Sequence, residues 1–303
     1  MLNFLPAPVI GGLVSIFVFF NTLFWCLLIY FVAIIKLVVP LPAWRKRWTE
    51  AAIWLAEGWI SGNSAWMWLT QRTKWQIVGL EGLQKDNWYL VVSNHQSWVD
   101  IFVLQHIFNR RIPFLKFFLK QELIWIPVIG LAWWALDFPF MKRYSRQQLA
   151  RRPELRGQDL ETTRKACERF KTTPVSVMNF MEGTRITLAK HQRQESPYHH
   201  LLKPKAGGIG LVLGAMGEQI QTMLDVTIMY PEGIPSAWDF FQGKVKKTEV
   251  LIQKRPIPIE YANQDYQNDE AFRGDFQAWV RALWAEKDAL LGEYLPDGLK
   301  LAE

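Results

Sequence analysis

A long uncharged segment at the N-terminus is the strongest constraint on how this chain can fold. The first 35 residues contain no Asp, Glu, Lys or Arg, and residues 9–35 form an apolar run broken only by Ser15, Asn21 and Thr22. As a helix this run would reach about 40 Å, more than the ~30 Å hydrocarbon core of a bilayer. A secretory signal would have a basic stretch before a shorter apolar core and a cleavage site after it, and neither is apparent. The sequence therefore predicts an uncleaved membrane anchor over residues 1–39.

Basic residues follow the anchor directly: Lys36, Arg45, Lys46 and Arg47. By the positive-inside rule they predict a single span that leaves the rest of the chain on the cytoplasmic side. A two-helix hairpin lying partly in one leaflet is the alternative, with a break at Gly11-Gly12 or at Asn21-Thr22. The chain is expected to be membrane-bound in either arrangement.

Charge and tryptophan content favour a lipid surface as the partner. The net charge is +7 and the pI is about 9.3, and basic clusters are attracted to anionic head groups. Nucleic acid is not expected, since no recognised binding motif accompanies the charge. Seven tryptophans lie between Trp44 and Trp75, and indole rings favour the membrane interface. Residues 40–75 are therefore expected to form a helical interfacial segment, and the two cysteines, Cys26 and Cys167, are expected to stay unpaired.

Short apolar strands alternate with helical patterns over residues 76–303. Strands are predicted at 76–80, 88–92, 113–117, 136–141, 175–180, 224–229 and 250–253, and a C-terminal amphipathic helix at 272–291. The alternation predicts an α/β domain with a central mixed sheet and flanking helices. Residues 123–136 carry no charge and are too short to span a membrane, so they are predicted to be core or to touch the bilayer.

The segment from Asn94 to Asp100 follows a predicted strand and opens a predicted helix. His95 at the turn and Asp100 in the first helical turn can face each other. A histidine that takes a proton from a hydroxyl needs a carboxylate to hold its tautomer and stabilise the imidazolium. The same stretch also resembles a capping box, in which Ser97 and Asp100 would only begin a helix.

Three further segments end at predicted strand termini. Lys142 and Arg143 follow one strand, Glu182-Gly183-Thr184-Arg185 follows another, and Tyr230-Pro231 ends a third. Arginine binds phosphate oxygens in pairs, and glycine lets backbone N–H groups approach them. Each segment alone could be an ordinary turn, but together they favour a phosphate site.

In this order and spacing, the motifs resemble those of the glycerolipid acyltransferases of the bacterial 1-acylglycerol-3-phosphate acyltransferase type. Within this family, the chain is most similar to a lysocardiolipin-acyltransferase-like branch. The resemblance covers about residues 75–235. It departs from the family pattern at Met181 and Thr227, where many members have proline. The matching positions are Asn94, His95 and Asp100; Phe140 and Arg143; Glu182 to Arg185; and Val226 to Pro231.

The resemblance implies transfer of a fatty acyl group from acyl-CoA or acyl-carrier protein to a lysophospholipid hydroxyl, with 1-acylglycerol 3-phosphate as the expected acceptor. Glycerol 3-phosphate or lysocardiolipin are alternative acceptors, and a non-enzymatic lipid-binding protein is the distant alternative. His95 would be the base and Asp100 its orienting carboxylate. No metal or other cofactor is expected, and the location would be a bacterial inner membrane with the catalytic domain facing the cytoplasm. The acceptor would be held by Arg143, Glu182, Gly183, Thr184 and Arg185.

Overall fold

The structure is a computed structural model, which describes residues 4–141, 161, 165, 167, 170 and 173–295. Lys142 and Arg143, predicted to contact phosphate, lie outside the described residues.

Two long helices form the N-terminal part: α1, Ala7–Val38, and α2, Pro42–Thr70. Within the described part of the chain, α1 is the one helix long and apolar enough to cross a membrane by length and composition. The helices pack side by side, and the Asn21 amide donates to Asn63 Oδ1 at 3.1 Å while the Trp59 indole donates to Thr22 at 3.1 Å. Two of the three polar residues that interrupt the apolar run, Asn21 and Thr22, therefore join α1 to α2.

Both ends of α1 touch the rest of the protein. Near its start, Gly11 packs so closely under Trp238 that an added Cβ would lie 2.9 Å from the ring. Near its end, Lys36 forms an ion pair with Asp137 at 2.6 Å. The helix consequently lies along the α/β domain and does not project away from it.

The α/β domain is built on a mixed six-stranded sheet, which confirms the predicted fold class. Its order is β1-β8-β7-β2-β6-β3, in which β3, β6, β2 and β7 are parallel while β8 runs antiparallel to β7. β1 is parallel to β8. A small parallel pair, β4 with β5, lies beside it. The strands are β1 Lys74–Val78, β2 Tyr89–Ser93, β3 Leu115–Phe117, β4 Leu119–Lys120, β5 Phe140–Met141, β6 Ser176–Phe180, β7 Thr222–Met229 and β8 Lys247–Pro256.

Helices cover both faces of the sheet, and the central strands β2 and β7 are therefore buried on both sides. One face packs on α6 and α8, through residues such as Ile209, Phe276 and Trp284. The other packs on α3, the end of α2 and the start of α1, through residues such as Val103, Trp66 and Ile10. These helices are α3 Val99–Phe108, α4 Ile129–Ala135, α5 Leu188–Gln194, α6 Gly207–Met216, α7 Ala237–Phe241 and α8 Glu270–Tyr294.

The predicted strand over residues 136–141 is wrong for its first four residues. α4 ends at Ala135, and Asp137 turns the chain with a positive φ of 58°, so β5 is only Phe140–Met141. The apolar run before it is divided by Pro127 into a 3₁₀ turn, Gln121–Trp125, and α4. The helix α4 belongs with the part of the protein that contacts α1, since Ala132 and Ala135 share an apolar cluster with Ile29 and Val32.

Candidate active site

Three predicted site segments meet at one edge of the sheet because they follow parallel strands. Ser93 at the end of β2 is in register with Phe180 of β6 and with Val226 of β7. The carboxyl ends of adjacent parallel strands lie together, which is where open α/β sheets bind their ligands. The segments that continue from these strands carry His95, Glu182 and Tyr230.

Asn94 holds the end of β2 against β7 with its side chain. Its Nδ2 donates to the Ile228 carbonyl at 2.9 Å, and its Oδ1 accepts from the Ile228 N–H at 2.9 Å. The amide thereby reproduces a ladder pair at the point where the backbone leaves the sheet. Because Asn94 is fully buried, it sets where the next residue, His95, begins.

His95 and Asp100 face each other as the sequence predicted. The two side chains meet at 2.9 Å between Nδ1 and Oδ2, and Asp100 has no exposed surface. An ionised carboxylate can only accept a hydrogen bond, so the proton of neutral His95 lies on Nδ1. Nε2 is left as the ring nitrogen that can take a proton.

Asp100 serves the helix start and His95 together. Its Oδ2 also accepts from the Gln96 N–H at 2.6 Å and the Ser97 N–H at 2.8 Å. The bond to Ser97 is half of a capping box, so one carboxylate both caps the start of the helix and contacts His95. Such bonds orient Asp100 before any substrate arrives.

Tyr230, which the sequence placed only in the motif that ends at Pro231, completes the surroundings of Asp100. Its hydroxyl donates to Asp100 Oδ1 at 2.8 Å. Burial, and then the Asp100 charge and that hydrogen bond, raise the pKa of Tyr230 well above its usual range, so the hydroxyl keeps its proton and remains a donor. No sequence spacing pointed to this contact, because 130 residues separate the two.

The His95 ring is packed on one side by an aromatic ring. Phe180 stacks on it with 3.9 Å between centroids and 13° between planes. The backbone is held as well, since the Ile186 N–H donates to the His95 carbonyl at 2.9 Å. The imidazole is 13% exposed, so its orientation is determined by contacts on several sides while a small part of it remains open.

Glu182 and Gly183 form a turn directly beside His95. Glu182 is 1% exposed. Burial, reinforced by the Asp100 charge, raises its pKa well above the usual range, while backbone groups of His95 and Leu202 and the Lys287 charge oppose the shift. Its carboxyl group points inward, which is unlike a side chain that contacts a substrate from the surface.

Gly183 adopts a left-handed backbone, and alanine there is expected to destabilise the protein. Its φ is +67°, and an added Cβ would lie 3.1 Å from the Lys205 ammonium. We expect Gly183→Ala to lower the free energy of unfolding by about 1–2 kcal/mol. In a matched thermal unfolding measurement, Gly274→Ala should raise it by about 0.5–1 kcal/mol, because Gly274 is helical with open space around it. Equal effects at both positions would contradict the strain argument.

Cations collect around the rest of this turn. The Arg185 guanidinium lies over the Trp98 ring, 4.7 Å from its centroid. Lys190 Nζ donates to Thr184 Oγ1 at 2.8 Å and to the Arg185 carbonyl at 2.9 Å. Thr184 and Arg185 were predicted site residues. Lys190 was not, because its position five residues after Arg185 belongs to no recognised motif.

A cleft of about 520 Å³ lies elsewhere, between the end of α1, the start of α2 and the chain just before β6. Its lining includes Lys36, Arg45, Phe114 and Val175. Val175 precedes β6, whereas His95 lies beyond the carboxyl end of β2, so this cleft opens at the opposite end of the parallel strands. The chemistry indicated by His95 and Asp100 does not take place there.

Comparison with known proteins decides the family. The model of the family described as Acyltransferase matches residues 74–235, just over half of the chain and all of the elements that carry His95, Asp100 and Glu182. The chain belongs to this acyltransferase family. The resemblance to glycerolipid acyltransferases is thereby confirmed.

Two named acyltransferases are similar to this chain over part of their length. The mouse 1-acyl-sn-glycerol-3-phosphate acyltransferase delta is 26% identical over 225 residues, covering 69% of this chain and 54% of the mouse protein. An uncharacterized acyltransferase of Saccharomyces cerevisiae is 23% identical over 236 residues, covering 69% and 59%. The chain thus matches little more than half the length of these curated relatives.

A solved structure shares the fold of the acyltransferase. The crystal structure of the 1-acyl-sn-glycerophosphate (LPA) acyltransferase PlsC from Thermotoga maritima aligns with a TM-score of 0.52 and 18% sequence identity, over 92% of this chain and 98% of that one. At this identity the likeness concerns the fold, including the helices before the sheet.

Proposed function

We propose that the enzyme transfers a fatty acyl group from a thioester to the hydroxyl of a lysophospholipid, with 1-acylglycerol 3-phosphate as the acceptor and phosphatidic acid as the product. The observation that carries this proposal is the buried His95–Asp100 pair, at 2.9 Å, beside a turn that carries cations. The names of the mouse relative and of the Thermotoga maritima protein support the same acceptor. The donor is acyl-CoA or acyl-carrier protein.

In the proposed reaction, His95 Nε2 takes the proton of the acceptor hydroxyl as its oxygen attacks the thioester carbon. The tetrahedral intermediate then collapses, the C–S bond breaks, and the imidazolium returns the proton to the leaving thiolate. Asp100 stabilises the imidazolium between these steps. A thioester is already activated, so no acyl-enzyme is required, and Cys167 is buried in the core away from any such role.

The acceptor's phosphate is proposed to bind at the 182–185 turn. Arg185 and Lys190 carry the positive charge there, and Thr184 supplies a hydroxyl. Ionic hydrogen bonds to phosphate are the stronger kind, which suits a site that must orient one hydroxyl toward His95. Arg143 remains a predicted contributor, and Glu182 is proposed to shape the turn from inside.

The acyl chain is proposed to leave His95 along its aromatic neighbours. Phe180 stacks on His95, and Phe117 stacks on Phe180 with 6.2 Å between centroids. Phe117 also packs against the apolar cluster that joins α1, α2 and α4. These contacts connect His95 to α1 and α2 through apolar side chains, and burial of each CH₂ of an acyl chain would contribute about 0.8 kcal/mol.

Membrane attachment is proposed through the α1–α2 pair. Large apolar side chains on α1 are exposed, among them Phe19, Phe20 and Phe31, and contiguous apolar surface of this kind marks a membrane contact. The helix α1 runs from Ala7 to Val38 without the predicted alternative break at Gly11-Gly12 or Asn21-Thr22. Because both ends of α1 contact the α/β domain, insertion of the α1–α2 pair in one leaflet is easier to reconcile with these contacts than a perpendicular span. A bacterial inner membrane with the domain on the cytoplasmic side stays a prediction from the basic residues after α1.

The proposal is tested by measuring acyl transfer by purified full-length protein in phospholipid nanodiscs. Both donors, acyl-CoA and acyl-carrier protein, are paired with 1-acylglycerol 3-phosphate, glycerol 3-phosphate and lysocardiolipin. Turnover with 1-acylglycerol 3-phosphate above that with the other two supports the proposed acceptor. Preference for another acceptor reassigns the substrate, and no turnover by the folded protein on any pair contradicts the proposal.

Arg185→Ala is expected to weaken acceptor binding while leaving the chemical step nearly unchanged. Loss of one ionic hydrogen bond, worth about 1.5–3 kcal/mol, should raise KM for 1-acylglycerol 3-phosphate by about ten- to a hundredfold. The matched control is Arg193→Ala, since Arg193 is exposed on α5. If the two variants have equal KM values, or if monoacylglycerol is affected as strongly as the phosphate-bearing acceptor, Arg185 does not bind phosphate.

A further inference from the structure

A buried lysine from the C-terminal helix reaches the strand that forms the active site. Lys287 on α8 is 2% exposed, and its ammonium donates to the Val226 carbonyl at 2.7 Å and to Thr227 Oγ1 at 2.8 Å. It also forms an ion pair with Asp225 at 2.6 Å. The helix α8 lies outside residues 74–235, which the family model matches. No function was predicted for this helix from the sequence.

Packing alone does not account for a charge at this position. Removing an ammonium from water is costly, and replacing a buried ion pair with apolar residues of similar volume is often neutral or stabilising. The rest of this face is apolar, with Trp284 and Leu291 of α8 fully buried beside Lys287. Every polar partner of Lys287 named above belongs to three consecutive residues of β7.

Those three residues directly precede the part of β7 that positions the catalytic pair. The Ile228 backbone makes two hydrogen bonds with the Asn94 side chain, and the Tyr230 hydroxyl donates to Asp100. Side chains alternate along a strand, so Asp225 and Thr227 face α8 while Val226 and Ile228 face α3. Lys287 therefore contacts β7 from one face of the sheet. The end of β7 in turn contacts Asn94, which directly precedes His95, and Tyr230 just beyond β7 contacts Asp100.

Thr227 explains one departure from the family pattern. Glycerolipid acyltransferases usually have proline at this position, and proline offers no side-chain acceptor. Here the hydroxyl of Thr227, 2% exposed, accepts from Lys287. A threonine in β7 and a lysine 60 residues later on α8 thus form one hydrogen-bonded unit.

The charges around this unit extend to the 182–185 turn. Asp225 is paired with Arg255 at 3.1 Å as well as with Lys287, and Arg255 also pairs with Glu286. Glu182 is the other acidic group that interacts with Lys287. Burial lowers the pKa of Lys287, and Arg255 adds to that effect, while Asp225 and Glu182 oppose it. The ammonium and the Glu182 carboxylate therefore favour each other's charged forms.

We propose that Lys287 is a positioning residue for acyl transfer, which holds β7 so that His95 and Asp100 are aligned. The proposal rests on the proposed function for its kinetic readout. It assigns to the C-terminal helix a part in the active site that its sequence does not reveal.

The test compares Lys287→Met with the wild type, as full-length proteins in nanodiscs, by kinetics and by hydrogen exchange. Misalignment of the pair should lower kcat by about ten- to a hundredfold with little change in KM for the acyl donor. Misalignment that weakens the His95–Asp100 contact should move the acidic limb of the kcat/KM profile to lower pH, because that contact stabilises the imidazolium. Amide exchange over residues 94–100 should be faster than in the wild type.

Val280→Ala is the matched control, since Val280 is a buried residue of the same helix that makes only apolar contacts. It should lower the unfolding temperature while leaving the pH profile and the exchange of residues 94–100 as in the wild type. If Lys287→Met does not fold, Thr227→Val keeps the ammonium and removes one acceptor, and a severalfold loss of kcat in the same direction is expected.

The inference and the proposed function fail in different ways. An inactive, folded wild-type protein contradicts the proposed function, and the exchange of residues 94–100 in Lys287→Met then still tests positioning. An active wild type with unchanged kcat, pH profile and exchange in Lys287→Met overturns the inference. Equal changes in Val280→Ala and Lys287→Met also overturn it, because they would show a general loss of stability.

Discussion

Replacing His95 with alanine is expected to abolish measurable acyl transfer while leaving the protein folded. The imidazole is proposed to take the acceptor's proton, and a positioned base of this kind contributes about 10²–10⁴-fold to a rate. Neither solvent nor a neighbour can take over, because the ring lies against Phe180 and is only 13% exposed. The measurement is kcat with 1-acylglycerol 3-phosphate and acyl-CoA, beside the unfolding temperature in the same nanodiscs.

His199→Ala is the matched control, since it removes an exposed histidine from the loop before α6. It should retain wild-type turnover. The proposed base is wrong if a folded His95→Ala protein transfers acyl groups at the wild-type rate. If both variants lose activity together, the loss reflects stability, and the unfolding temperatures will show it.

Asp100→Asn is expected to have the second largest effect, a fall in kcat of about 10²–10⁴-fold with the fold retained. The amide oxygen can occupy the position of Oδ2 and accept from His95, Gln96 and Ser97, as the carboxylate does at 2.9, 2.6 and 2.8 Å. The amide nitrogen then faces the Tyr230 hydroxyl, which can rotate to accept. The geometry is therefore kept while the charge that stabilises the imidazolium is removed.

Tyr230→Phe distinguishes loss of charge from loss of one hydrogen bond. It removes a single donor at 2.8 Å from Asp100 and should lower kcat by only about tenfold. Kinetics at several pH values and circular dichroism on all three proteins complete the comparison. If Asp100→Asn is no slower than Tyr230→Phe, the carboxylate does not act through its charge.

The parts of the site that are close in sequence were predicted correctly as structure. His95 and Asp100 lie in one strand–turn–helix unit, whose geometry follows from local backbone preferences and from a cap that Asp100 itself provides. The 182–185 turn was predicted for a similar reason, because Gly183 has the positive φ that favours glycine. Their chemical roles stay predictions until the variants are measured.

Contacts between distant segments could not be read from the sequence. Apolar patterning predicted most strands, yet not their order, and β8 lies between β1 and β7 although it comes last in the chain. The same patterning placed a strand at residues 136–139, where the backbone at Asp137 instead turns and its side chain pairs with Lys36. Both errors concern partners that are far apart in the chain.

The amino-acid sequence by itself determined the family, the α/β class, the apolar N-terminal helix and the local pairing of His95 with Asp100, because each depends on composition or on a few adjacent residues. Tertiary structure alone decided that Tyr230 contacts Asp100, that Lys190 joins the 182–185 turn and that Lys287 holds β7 from beneath. The physical reason is that the strand order and the packing of α8 bring these side chains together only after the sheet has formed, and no periodicity along the chain encodes which buried polar groups will meet.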